Sequence, residues 1–214
     1  MAPPGEPTPR RTRADGERTR ELILDTAVRL ATVEGLEGLS IGTLAGATRI
    51  SKSGVYAHFG SKEDLQLATV DKARALFTDV VVAPTLGKTG LERLRSLCES
   101  FLSYVENRTL PGGCFFAAAA AELGGRSGPV RERVAANQRD WIGVLTAAAD
   151  EAKTMGQLRA DTDVSILVFE LNALVIAANT AFILHDDPAV LSQARAAVER
   201  VLSAATPARA RRHR

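Results

Sequence analysis

The sequence predicts an all-α protein of about nine helices, arranged as a small N-terminal head and a larger helical domain. Apolar residues recur at intervals of three and four in one segment after another, which is the spacing of one helix face. Alanine is plentiful and aromatic residues make up only 5% of the chain, a composition that favours helices. No sustained apolar–polar alternation indicates a half-buried strand. The 214 residues suffice for one large domain or two small ones.

The N-terminal segment divides into a basic arm and a first helix. Residues 1–16 are rich in proline and arginine and lack periodicity, which predicts a disordered arm. Residues 17–34 are predicted as the first helix, with Gly35 placed to end it. Its apolar stripe consists of Ile23, Ala27, Leu30 and Ala31, and the arginines in and beside the arm are Arg10, Arg11, Arg13, Arg18 and Arg20.

Two short helices joined by a tight turn are predicted within residues 41–59, which completes a three-helix head over residues 17–60. Ser40 can cap the first of these helices, and Ser51 starts the second. Apolar residues mark the inner faces at helical spacing. They are Ile41, Leu44 and Ala45 in the first helix, Ile50 in the turn, and Val55 and Phe59 in the second helix. The pattern is that of a helix-turn-helix, and a helical hairpin that merely packs is the alternative.

The outer face of the second short helix carries hydrogen-bond donors and no acidic residue. Lys52, Ser53, Tyr56 and His58 lie there, and such a face suits a negatively charged groove. In a helix-turn-helix, the second helix enters the major groove of DNA with its N-terminal residues at the base edges. The candidate DNA-binding residues are therefore Ser40, Thr43, Ser51, Lys52, Ser53, Gly54, Tyr56, His58 and Lys62.

These candidates are expected to act in different ways. The residues expected to face base edges are Ser51, Lys52 and Ser53, and Gly54 lets the backbone approach closely. The residues expected to bind phosphates, in part at helix starts, are Tyr56, His58, Ser40, Thr43 and Lys62. His58 has a second interpretation as a surface histidine packed on its neighbour. The arm's arginines either contact phosphates or the minor groove, or form a solvated tail.

At these residues the chain resembles the tetracycline-repressor (TetR) family of bacterial transcription regulators. The matching motifs are Leu44-Ala45, then ISKSGVYAHF from Ile50 to Phe59, then Ser61-Lys62-Glu63-Asp64-Leu65. The resemblance covers about residues 18–77 and implies nine helices with the DNA-reading head first. The chain departs from the family at Thr48-Arg49, where Ala-Gly is usual. Because glycine eases a positive φ, the arginine predicts either a different turn geometry or strain.

A long helix is predicted to connect the head to the second domain. It starts near Ser61, which forms a near capping box with Asp64, and ends near residue 81, so the connecting segment is residues 61–83. The second domain is residues 84–206. Its helices are expected at residues 91–107, 114–123, 130–156, from a cap at Asp161 or Asp163 to residue 184, and at 189–205. Residues 207–214 are predicted to be a disordered basic tail.

The second domain is expected to form a homodimer and to bind a small molecule. The helix ending at residue 184 is apolar almost all round, so two copies of the last two helices could form a four-helix bundle, as the resemblance also implies. A purely internal core helix is the alternative. Aromatic and amide side chains suggest a mostly apolar cavity, which the resemblance implies as well, although an ordinary core would also use them. These residues are Phe101, Tyr104, Phe115, Phe116, Trp141, Phe169, Asn172 and Asn179.

Composition argues against several other classes of protein. The net charge is only +2, so binding to nucleic acid needs a local patch. Cys98 and Cys114 make neither a disulfide framework nor a zinc site, so no metal or cofactor is expected. The three histidines have no recognisable nucleophile beside them, which argues against an enzyme. Two cysteines without a disulfide framework favour the reducing cytoplasm. No apolar stretch follows Met1, so we expect no signal peptide. Glu170 argues against a membrane span within residues 165–184.

Together these observations favour a DNA-binding transcriptional regulator. The expected partners are a palindromic operator in double-stranded DNA, a small-molecule effector and a second copy of the chain. Repression is the commoner output in the family that the chain resembles. A dimeric helical protein that binds a ligand without binding DNA is the alternative, and a band shift with DNA separates the two.

Overall fold

Nine α-helices and no strand make up residues 13–207, the part of the chain that the structure, a computed structural model, describes. The predicted all-α class is confirmed. The helices are α1 (Arg13–Glu34), α2 (Ile41–Thr48), α3 (Lys52–Phe59), α4 (Lys62–Phe77), α5 (Gly90–Glu106), α6 (Phe115–Leu123), α7 (Pro129–Thr154), α8 (Val164–His185) and α9 (Ala189–Ala205). Most of the predicted arm and tail, including Arg10 and Arg11, lies outside the described residues.

Helices α1 to α3 form the head, whose own core is small. Ile23 of α1, Leu44 of α2 and Val55 of α3 are fully buried. The head is supported by α4, which packs on α1 and α3 and buries Leu65 completely. This support is needed because so short a segment cannot bury enough apolar surface by itself. Helix α1 starts at Arg13, so part of the segment predicted as a disordered arm is helical.

The connecting helix changes its geometry at the C-terminal end. Ser61 caps the start of α4, because its hydroxyl accepts from the Asp64 amide at 3.0 Å and donates to the Asp64 carboxylate at 2.6 Å. Beyond α4 the chain continues as a π-helical turn, Thr78–Val82, and a 3-10 turn, Ala83–Thr85. Pro84 lies within the 3-10 turn, and because it lacks an N–H the α-helical bonding pattern cannot continue through it. The predicted end near residue 81 falls within the π-helical turn.

Helices α5 to α9 form the second domain, whose core is continuous with that of the head. The main pairs are α5 with α7 and α8 with α9, and α4 also packs on α7. Phe101, Leu145, Leu171 and Leu191 are among its largest fully buried side chains. A continuous core means that α4 and the second domain cannot move freely without repacking, because protein interiors are close-packed.

Helix α8 has one buried face and one exposed apolar face. Leu167, Leu171 and Val175 are buried, whereas Phe169 is 72% and Leu184 is 74% exposed. Ile166, Ala173 and Ala177 are exposed on the same side as Phe169 and Leu184. The length and composition of α8 alone would allow it to cross a membrane, but core helices of soluble proteins meet the same criterion. In this structure, 39% of its most apolar stretch is buried. The alternative of an internal core helix therefore describes one face of α8, and the dimer prediction concerns the other.

Candidate nucleic-acid interface and ligand cavity

The helix-turn-helix begins with a reciprocal cap. The Thr43 amide donates to the Ser40 hydroxyl at 3.1 Å, and the Ser40 amide donates to the Thr43 hydroxyl at 3.0 Å. This arrangement satisfies two backbone donors at the start of α2. Both hydroxyls, which are predicted to bind phosphate, therefore already accept backbone hydrogen bonds at the start of α2. Each oxygen keeps some hydrogen-bonding capacity, so the prediction of a phosphate contact stays open.

The turn between α2 and α3 contains a strained arginine. Arg49 has φ 58° and ψ 23°, which is the left-handed region. The turn therefore has a conformation that glycine adopts readily, and the arginine is strained by about 1–2 kcal/mol. Its side chain is exposed and makes no ion pair within residues 13–207. Arg49 is thus a candidate phosphate contact that sequence reasoning missed, although its position in the motif could have indicated it.

Helix α3 presents the expected donors to solvent. The Gly54 amide donates to the Ser51 hydroxyl at 3.1 Å, which caps the helix. Lys52 and Ser53 are exposed, and Tyr56 is 57% exposed. Gly54 also has an internal reason to be glycine, because a Cβ there would lie 2.9 Å from Cγ2 of Ile50. Close approach of the Gly54 backbone to DNA stays a prediction.

Two other predicted DNA contacts are partly engaged within the protein. His58 is half-buried, with its ring centroid 6.3 Å from that of Phe59, and it faces a groove that Arg20 also lines. This placement supports the second interpretation, a histidine packed on its neighbour. The Lys62 ammonium donates to the Glu37 carbonyl at 2.7 Å and lies 3.6 Å from the Glu37 carboxylate. Lys62 therefore joins α4 to the turn after α1, and its contact with phosphate is a prediction.

A cavity of about 500 Å³ lies within the second domain. Five of the eight predicted ligand residues line it, namely Phe101, Phe116, Trp141, Phe169 and Asn172. Helix α4 and the turn after it add Phe77 and Thr78, which sequence reasoning did not include. The ring of Phe77 is 5.3 Å from that of Trp141 and perpendicular to it. The periodicity marks Phe77 as apolar and inward-facing, but only the packing of α4 on α7 puts it in the cavity.

The other three predicted ligand residues lie outside the cavity lining. Tyr104 is 3% exposed and packs edge-on against Phe77. Phe115 is 2% exposed and packs edge-on against Phe116. Asn179 accepts from the Cys114 amide at 2.8 Å, which anchors the start of α6 to α8. These residues support the cavity wall from behind, because each faces a neighbouring helix instead of the empty volume.

The polar groups of the cavity are few and mostly occupied. The Trp141 indole N–H donates to Oδ1 of Asn172 at 3.0 Å, and Arg74 pairs with Asp140 at 2.9 Å. The Asn137 amide donates to a backbone carbonyl at 3.0 Å. Burial raises the pKa of the Cys114 thiol to about 11, so this lining residue is an uncharged thiol at neutral pH. The cavity therefore has no unpaired charge and suits a mostly apolar molecule.

Residues 13–207 contain no cluster of three or more histidine, cysteine or acidic side chains placed to hold a metal ion. The geometry defines a helix-turn-helix protein with a ligand-sized cavity in its second helical domain. Two family models match the chain: "Bacterial regulatory proteins, tetR family" at residues 23–69 and "Tetracyclin repressor-like, C-terminal domain" at residues 90–198. The second match alone spans more than half of the 214 residues. The chain belongs to the TetR family of transcriptional regulators.

A sequence relative and a solved structure agree with this assignment, and a second solved structure shares the fold. The regulator AcrR of Shigella flexneri is 38% identical over 56 residues, which is 26% of this chain and 26% of that protein. A TetR regulator from Chloroflexus aurantiacus is 26% identical, with a TM-score of 0.83 over 90% of this chain and 98% of that chain. AibR, solved with isovaleryl coenzyme A and operator DNA, is 23% identical, with a TM-score of 0.67 over 88% of this chain and 98% of that chain.

Proposed function

We propose that the protein is a homodimeric repressor that binds a palindromic operator and is released from it by a small, mostly apolar ligand. One observation carries the proposal: α4 contributes to both sites. Near its start, Leu65 packs in the core of the head, and at its end Phe77 lines the cavity. A ligand that displaces the end of α4 would therefore move the head. No catalytic step is part of this function, which we place in the cytoplasm.

Operator binding in this proposal uses the exposed face of α3. Ser51, Lys52 and Ser53 would read base edges, while Tyr56 would bind phosphate. The left-handed Arg49 would add a phosphate contact beside them. One head covers few base pairs, so a two-fold dimer would read two half-sites about 34–36 Å apart.

The exposed apolar face of α8 supports a dimer. Phe169, Ala173, Ala177 and Leu184 form a stripe that a single copy of the chain leaves in water. Large exposed apolar patches mark interaction sites. Pairing this stripe with the same stripe of a second copy, together with α9, would bury it in a four-helix bundle.

The ligand is expected to be uncharged over most of its surface. Arg74 and Asp140 pair with each other at the cavity wall and are more than half exposed, so the buried part of the lining offers no charge to pair with a charged ligand, and burying an unpaired charge is costly. The AibR complex with isovaleryl coenzyme A and operator DNA shows that a relative of the same fold holds both kinds of partner. It supports the proposal that this chain responds to a ligand, and leaves the identity of its own ligand open.

The test starts by selecting an operator from a random pool of DNA duplexes with the purified protein. We expect an enriched palindrome bound by two copies of the chain, with an affinity that falls as salt rises. A library of uncharged small molecules is then screened by the fluorescence of Trp141, the only tryptophan. Binders should lower operator affinity by about 5–150-fold. Failure to enrich any sequence would refute DNA reading, and binders that never affect the operator would refute release.

A further inference from the structure

Glu122, near the C-terminal end of α6, reaches from the second domain to the head. Its Oε2 accepts from the Leu36 amide at 2.7 Å, and its Oε1 accepts from the Glu37 amide at 2.8 Å. Both amides belong to the α1–α2 turn, residues 35–40. A carboxylate that accepts two N–H groups forms charge-assisted bonds, which are stronger than bonds between neutral groups. The contact therefore ties the end of α6 to the turn.

The turn has a glycine, Gly35, next to the Glu122 carboxylate. Gly35 has φ 82°, a conformation that glycine adopts readily. A Cβ at Gly35 would lie 3.0 Å from Oε1 of Glu122. Glycine at this position thus ends α1 and also leaves room for the Glu122 side chain.

Helix α4 holds the carbonyl groups of the same two residues. Gln66, which is 5% exposed, donates from Nε2 to the Leu36 carbonyl at 2.9 Å. Lys62 donates to the Glu37 carbonyl at 2.7 Å. The amides of Leu36 and Glu37 are therefore held by α6, and their carbonyls are held by α4. The α1–α2 turn lies between the two helices and leads directly into α2 of the helix-turn-helix.

Both helices that hold the turn also line the cavity. Helix α4 and the turn after it contribute Phe77 and Thr78, and α6 contributes Phe116 and Ala120. The distance from Phe116 to Glu122 along the axis of α6 is about 9 Å, at about 1.5 Å per residue. A ligand that displaces α6 relative to α4 therefore has to pull on Leu36 and Glu37 of the α1–α2 turn.

We propose that Glu122 is a positioning residue for operator binding, which transmits a displacement of α6 at the cavity wall to the α1–α2 turn and so to α3. The inference rests on the proposed function and adds a second route beside the direct one through α4. Glu122 does not contact DNA in this mechanism. It acts by setting where α2 and α3 lie relative to the second domain.

The first test compares Glu122→Gln with Glu132→Gln, a control that removes the same charge from an exposed position on α7. With the operator selected by the wild type, Glu122→Gln should lower affinity about fivefold or more. Binding to a random duplex of the same length should change no more than in the control. Hydrogen exchange of the Leu36 and Glu37 amides should become faster. Equal behaviour of the two variants, or a parallel loss of specific and non-specific binding, would overturn the proposal.

The second test measures coupling to the cavity through Ala120→Phe, which fills the cavity from α6. In the wild-type background this change should lower operator affinity about fivefold. In the Glu122→Gln background it should cause less than a twofold further loss, because the link is already broken. Independent effects that multiply, or no effect in the wild type, would show that α6 does not transmit the displacement.

A shorter carboxylate keeps the proposal testable if Glu122→Gln does not fold. Glu122→Asp retains the charge but can reach only one of the two amides, so it should lose part of the operator affinity. Wild-type affinity of Glu122→Asp would contradict the need for two bonds. A wild-type protein that enriches no DNA sequence would refute the proposed function and this inference together. Enrichment by the wild type with unchanged Glu122 variants would refute this inference alone.

Discussion

Replacing Arg49 with glycine is expected to stabilise the protein and to weaken its binding to DNA. The left-handed backbone at Arg49 costs a non-glycine residue about 1–2 kcal/mol. Glycine removes that strain but makes the unfolded chain more flexible, which offsets about 0.4–1 kcal/mol. The net gain is about 0.5–1 kcal/mol, or roughly 1–4 °C in Tm for a chain of this size, measured by thermal unfolding.

The loss of DNA binding follows from the removed charge. The Arg49 side chain is exposed where α2 meets α3, so its guanidinium can reach the DNA backbone beside the reading helix. If it neutralises one phosphate, the slope of log K against log salt should become shallower by about 0.9 for each protomer. The assay is operator binding by fluorescence anisotropy over a series of salt concentrations.

Two further variants separate strain from charge at Arg49. Arg49→Ala removes the charge and keeps the strained backbone, so it should show the shallower slope without the rise in Tm. Arg49→Lys keeps both the charge and the strain, so both measurements should match the wild type. The reasoning about strain is refuted if Arg49→Gly melts no higher than Arg49→Ala. The phosphate contact is refuted if Arg49→Gly and Arg49→Lys have the same salt slope.

Lys52→Ala should relax operator preference at one base pair by about 1–3 kcal/mol, measured with a panel of single-substituted operators, and an unchanged preference would place α3 differently in the groove. Ala177→Glu on the exposed face of α8 should give monomers by light scattering, because it buries an unpaired charge; Ala147→Glu on the exposed face of α7 is the control and should stay dimeric. Asn179→Leu should destabilise the fold by about 1–3 kcal/mol in urea, since it leaves the Cys114 amide unpaired. Asn172→Leu should change Trp141 emission and cost less stability, because the indole N–H that loses its partner borders the cavity, where water can accept its hydrogen bond. An equal loss of stability in both variants would contradict this difference.

The helices could be predicted from the sequence because their signals are local. Ser40, Ser51, Ser61 and Asp163 each cap the helix that follows them. A capping hydroxyl or carboxylate bonds to an amide two or three residues away, so the sequence contains both partners. The start of α1 was not predicted, because residues 13–16 show no apolar periodicity. Their helical conformation extends a helix that is stabilised further along the chain.

The ligand cavity could be predicted only in part. Aromatic residues were found correctly as a group, but their individual positions depend on how each helix is rotated. Asn172 and Asn179 lie on the same helix and have the same side chain, yet Asn172 lines the cavity and Asn179 anchors α6. The two point in nearly the same direction, since residues seven apart drift by only about 20°. They lie about 10 Å apart along α8 and so meet different neighbours, the cavity at Asn172 and the start of α6 at Asn179.

The sequence by itself determined the all-α class, the helix-turn-helix and the exposed donors of α3, since these follow from periodicity and from bonds between neighbouring residues. The sequence did not decide between a strained, left-handed Arg49 and a different turn geometry that would have avoided the strain. Only the tertiary structure decided which face of α8 stays exposed and how Glu122 and Gln66 hold opposite sides of Leu36. Those contacts join residues from 30 to 86 positions apart. They depend on how helices pack, and local periodicity has no information about such distant partners.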